Sequence, residues 1–78
     1  MIYCKLKKLN ENSAVYQFGR STEDMTGEIV FYSSFVLPTV VKQPDAGNVP
    51  SSILSNVVIK YRESFERKKF PDKLCFER

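Results

Sequence analysis

The sequence predicts an α+β fold: a four- or five-stranded, mainly antiparallel sheet (a β-meander) with one C-terminal helix packed on one face. Three observations carry that expectation. Residues 2–41 run as short segments of alternating or clustered apolar side chains, broken by polar turn residues, as strands do. Leu54, Val57, Val58, Tyr61 and Phe65 fall at helical spacing on one apolar stripe, with Asn56, Lys60, Glu63 and Arg67 on the other side. Finally, a chain of 78 residues makes one domain, 1–78, with a core so thin that sheet and helix must close on each other.

Taken in order, Ile2 to Leu9 alternates, with Ile2, Cys4 and Leu6 on one side and Tyr3, Lys5 and Lys7 on the other. Asn10, Glu11, Asn12 and Ser13 have the composition of a turn. A second strand places Ala14, Tyr16 and Phe18 on one face, so the two segments form an antiparallel hairpin. The stretch from Ser21 to Thr26, ending at Gly27, is polar and reads as an exposed loop. From Ile29 to Val41 no charged residue occurs, and Ser33 with Ser34 turns the chain between two strands. In that pair Ile29, Phe31, Phe35 and Leu37 would face the helix. Pro38 cannot donate to a ladder, which makes the fourth strand an edge or bulged strand.

Residues 43–48 form a loop carrying Pro44, Asp45 and Gly47. Asn48 or Ser51 is positioned to cap the helix, with Pro50 in its first turn. Arg67, Lys68 and Lys69 close the helix, where the macrodipole favours cations, and Pro71 stops it. The remaining segment, Lys73 to Phe76, returns as a fifth strand or packs across the core.

Composition narrows the chemistry. No apolar run approaches the roughly 20 residues of a membrane span, and the N-terminal residues lack a hydrophobic targeting core. A soluble, cytoplasmic protein is therefore expected. The chain has no histidine and two cysteines, Cys4 and Cys75, so neither a zinc site of the usual four ligands nor a Ser-His or Cys-His nucleophile can be assembled within it. No metal and no cofactor are expected. A bridge between the cysteines requires neighbouring terminal strands; two reduced, packed thiols are the expectation. Glu11, Glu23, Asp24 and Glu28 sit in or beside turns, where carboxylates are normally solvated, and Gly19, Gly27 and Gly47 are too isolated to cradle a phosphate. The protein is not expected to be an enzyme, and no residue is assigned a catalytic role.

Two surfaces remain. A sheet covered on one face should carry polar residues on the other, yet Val30, Tyr32, Val36 and Val40 alternate outward from the uncharged run, and Ile59 lies between Arg62 and Glu66 on the far side of the helix. These five positions are the expected binding surface for a protein partner or for a second copy in a homodimer. The alternative is a nucleic-acid-binding module. It joins Tyr3, Lys5 and Lys7 of the first strand to Arg67, Lys68 and Lys69 at the helix end, with stacking on tyrosine. The net charge of +3 is mild, and Glu63 and Glu66 dilute the helical cations, which favours the protein-binding reading.

The order of a tyrosine-rich hairpin (Tyr3, Tyr16, Phe18), the run from Gly27 to Phe31, and a helix leading into Lys69, Phe70, Pro71, Asp72 and Lys73 resembles small bacterial proteins of immunity-protein-like layout. Immunity proteins neutralise partner toxins, so the resemblance implies a small protein-binding domain. It covers most of the chain by layout, and it transfers no functional residue. The basic balance of this chain departs from the acidic habit of such proteins.

Overall fold

Alternating side chains put Ile2 and Cys4 of the first strand, β1 (Ile2–Leu9), on one buried face. The structure, a computed structural model, describes residues 1–34 and 36–76. Strand β1 pairs antiparallel with β2 (Ser13–Gly19), β2 with β3 (Gly27–Tyr32), and β3 with β4 (Thr39–Lys42). After helices α1 (Ser51–Lys60) and α2 (Arg62–Glu66), strand β5 (Lys73–Phe76) returns antiparallel to β1. The result is a five-stranded antiparallel sheet in the order β4-β3-β2-β1-β5.

The core lies between one face of this sheet and the helices. Ile2, Cys4, Ala14, Tyr16, Phe18, Ile29, Phe31 and Leu74 come from the strands, and Leu54, Val57, Val58 and Phe65 from the helices. Phe65 is the centre of an aromatic cluster, with ring centroids 5.2 Å from Phe31, 5.2 Å from Phe70 and 6.0 Å from Tyr61. Each such large apolar side chain contributes about 1.5–3 kcal/mol by leaving water. The predicted helical stripe is therefore the helix's packing face.

The helix differs in detail at three points. It bends at Tyr61 (φ −104°, ψ 14°), although the Tyr61 and Phe65 amides still bond back to Val57 and Tyr61. Its N-cap is Pro50 rather than Asn48 or Ser51. The ring fixes φ at −61°, ψ of 147° makes Pro50 extended as a cap residue requires, and the Pro50 carbonyl accepts the Ile53 and Leu54 amides.

At the other end the helix stops at Glu66, so Arg67, Lys68 and Lys69 form its cap instead of its last turn. Lys68 takes φ 58°, its amide donates to the Phe65 carbonyl (2.9 Å), and the Lys69 amide donates to the Ser64 carbonyl (2.8 Å). This is a Schellman motif. It reverses the chain so that Phe70 stacks back on Phe65.

The fourth strand is shorter than the uncharged run suggests. Pairing begins only after Pro38, which leaves residues 36–38 as a loop. Leu37, expected inside, is 67% exposed, and Phe35 lies outside the described residues. Val40, expected to point outward, instead faces the core opposite Ile29. The cause lies before the strand: residues 36–38 are unpaired, so an alternation counted through them does not carry into β4, and Val40 takes the face of its partner Ile29. Beyond it Glu28 pairs with Lys42, which makes Val41 an extra residue in the ladder.

Candidate functional site

Two surfaces carry the residues of interest, on opposite sides of the sheet. The first is on the helical side. Val36 and Leu37, from the loop before β4, stand against Ser55, Val58 and Ile59 of α1 and enclose a groove of about 180 Å³. Val58 belongs to the core, while Val36 and Ile59 are 52% and 59% exposed. The sequence places Val36 and Ile59 far apart, and the fold brings them to one site. Leu37 completes it: alternation places this residue in the interior, but the chain is not yet in the ladder at Pro38 and Leu37 stands at the surface.

The other predicted partner-binding residues go elsewhere. Val30 and Tyr32 lie on the outer face of the sheet, beside Val15 and Ser13 of β2, and both are half-buried. The Tyr32 hydroxyl is hydrogen-bonded to Thr39 Oγ1 at 2.7 Å, so its polar tip is occupied. Val40 belongs to the core margin. The five positions therefore do not form one patch: Val36 and Ile59 share the groove, and Val30 with Tyr32 forms a separate area behind the sheet.

The second surface is that outer face at its β1–β5 end. Tyr3 lies opposite Cys75, and Lys5 opposite Lys73. These residues, with Thr22 and Met25 from the loop after β2, border a cavity of about 440 Å³. The loop is pressed against the sheet because Gly19 has no side chain: a Cβ there would lie 1.7 Å from the Asp24 carbonyl oxygen. Its conformation is tied down further by Asp24, which accepts from Thr26 Oγ1 (2.9 Å) and from the Ala46 amide (3.1 Å).

The predicted basic set is also divided. Lys5 points into this surface, but Lys7 pairs with Glu28 at 2.5 Å across β2. Arg67 pairs with Glu63 at 3.6 Å, and Lys68 and Lys69 supply backbone amides to the helix cap. Lys73 takes the place that the helix-end cations were expected to fill. It could be found only by pairing the last strand with the first, a contact between the two ends of the chain.

The terminal strands are neighbours, yet the cysteines point to opposite faces. Cys4 is buried opposite Leu74, whereas Cys75 shares the outer face with Tyr3. Burial pushes the Cys4 thiol up to about 12, with the nearby Cys75 adding to the shift. A protonated, enclosed thiol is a packing group rather than a nucleophile. Among the described residues no group of three or more His, Cys, Asp or Glu could hold a metal ion, and no helix is long and apolar enough to cross a membrane. No protein-family model, curated protein sequence or solved structure matches this chain.

Proposed function

We propose that the protein is a small non-enzymatic interaction domain that binds a protein partner, or a second copy of itself, through the groove between the loop before β4 and helix α1. The observation that carries this reading is the convergence of Val36, Leu37 and Ile59, each more than half exposed, around one concavity. Isolated exposed apolar residues are ordinary on a protein surface; several around one groove supply the dry centre that an interface needs. Arg62 and Glu66, paired at 3.5 Å one turn beyond Ile59, provide a polar rim that favours one orientation. The mechanism is occlusion: the partner's surface is covered and no bond is made or broken. Such a role agrees with the immunity-protein-like layout and with action in the cytoplasm.

The test is a paired substitution, Val36→Asp with Ile59→Asp, at positions whose side chains already face water. Association, followed by size-exclusion chromatography with light scattering and by pull-down, should fall at least about tenfold, because a desolvated hot spot typically contributes 2 kcal/mol or more. The circular dichroism spectrum should stay that of the parent. Undiminished association by the folded variant would exclude this groove.

A further inference from the structure

We propose that the outer face of β1 and β5 binds single-stranded nucleic acid, with a phosphate held between Lys5 and Lys73 and a base seated against Tyr3 and Met25. This goes beyond the protein-binding reading and stands apart from it, because the groove lies on the other side of the sheet.

The first argument is electrostatic. Lys5 and Lys73 face each other directly across the β1–β5 ladder. Like charges at such a cross-strand position repel and destabilise the pairing. Four other cations are balanced by carboxylates: Lys7 has Glu28, Lys42 has Asp45, Arg62 has Glu66 and Arg67 has Glu63. Among the described residues no carboxylate comes within ion-pair distance of Lys5 or Lys73. An anion between them would remove the repulsion and gain two charge-assisted contacts. Lys8, paired with Val15 further along the same face, extends the positive track toward a neighbouring phosphate.

The second argument is shape. Beside the lysine pair lies the 440 Å³ cavity, with Tyr3 and Met25 among its walls. Gly19 is the cross-strand neighbour of Tyr3 on β2, so no β2 side chain covers the ring from that direction. A free phosphate or a carboxylate side chain would use the lysines and leave this wall bare. A duplex keeps its bases stacked inside and cannot offer one to Tyr3. A single strand presents both a charged backbone and an open aromatic face, the combination that stacking platforms recognise.

The experiment is fluorescence anisotropy of a short labelled oligothymidylate with the full chain. Two neutralised phosphates, one between Lys5 and Lys73 and one at Lys8, give a log–log salt slope of about −1.4, so affinity should fall roughly sevenfold between about 50 and about 200 mM salt. The double variant Lys5→Gln, Lys73→Gln should bind about tenfold more weakly at low salt, with the slope reduced to about −0.7. Tyr3→Ala should weaken binding roughly tenfold at every salt concentration, with the slope kept. The Val36→Asp, Ile59→Asp variant serves as the control and should bind as the parent does, which separates failure of this surface from failure of the groove. No binding at low salt, parental affinity in the lysine variant, or equal affinity for a duplex or for phosphatidylserine vesicles would each overturn the proposal.

Discussion

At the scale of single residues, Tyr16 joins the sheet to the turn that follows the helix. Its side chain is fully buried and meets Phe31 edge-on at 5.5 Å between centroids. Its hydroxyl donates to the Pro71 carbonyl at 2.6 Å, 55 residues along the chain. A buried phenol needs such a partner, and the proline carbonyl has no local strand to serve. Tyr16→Phe keeps the ring and removes only this bond. Urea denaturation should show a loss of about 1 kcal/mol with an unchanged m-value; an unaltered midpoint would mean that water replaces the hydroxyl without cost. The apolar character of position 16 was legible from alternation in β2. Its hydrogen bond was not, because nothing local to Tyr16 points to Pro71.

At the scale of the elements, the helix was legible where packing dictates it and obscure where the chain leaves it. Leu54, Val57, Val58 and Phe65 occupy the core because a 3.6-residue period allows them no other common side. The exit was read from charge, as lysines placed by the macrodipole, whereas the controlling fact is the left-handed turn at Lys68. Glycine usually marks that turn, and a lysine there gives no warning. The conformation costs an L-residue about 1–2 kcal/mol, partly offset in glycine by its freer unfolded state. Lys68→Gly should therefore raise stability by about 0.5–1 kcal/mol, seen as a higher thermal midpoint. A lower midpoint would show that the aliphatic stem of Lys68 contributes more than its backbone strain costs. In the same way, the face of Val40 was hidden because the unpaired residues 36–38 break the alternation before β4 begins.

For the whole molecule, the α+β class followed from strand-like alternation and one helical stripe, both local patterns. The candidate surfaces depend on contacts distant in sequence: residues 36–37 against 55–59, and β1 against β5. Local pattern cannot supply these, which is why alternation puts Leu37 in the interior and gives Lys73 no place in either surface. The assembled core also sets the response to alkali. Burial raises both the Cys4 thiol, from 9.0 to about 12, and the Tyr16 phenol above its usual 10.0. Both groups stay protonated in the folded state while the unfolded chain gives up its protons. Their contribution is thus fully present below pH 9 and declines as pH rises, by up to about 1.4 kcal/mol per pH unit for each titrating group. Denaturation midpoints should fall steadily from pH 9 upward. Cys4→Ala should flatten the portion between 9 and 10, where Tyr16 has yet to contribute; an unchanged slope there would remove Cys4 as the cause.

The Tyr61 hydroxyl accepts from the Cys75 amide and donates to the Cys75 carbonyl, both at 3.1 Å, and Lys60 Nζ reaches the same carbonyl at 2.8 Å. The middle of the outermost strand on that side thus already has its hydrogen-bonding complement, supplied by the molecule's own helix. Strand β4 forms the opposite edge of the sheet. Edge-to-edge growth of sheets is a chain reaction in which every member must be joined on two sides. A copy that guards one of its two edges propagates such a chain poorly. Growth through the β5 edge would first have to displace the Tyr61 and Lys60 contacts to Cys75.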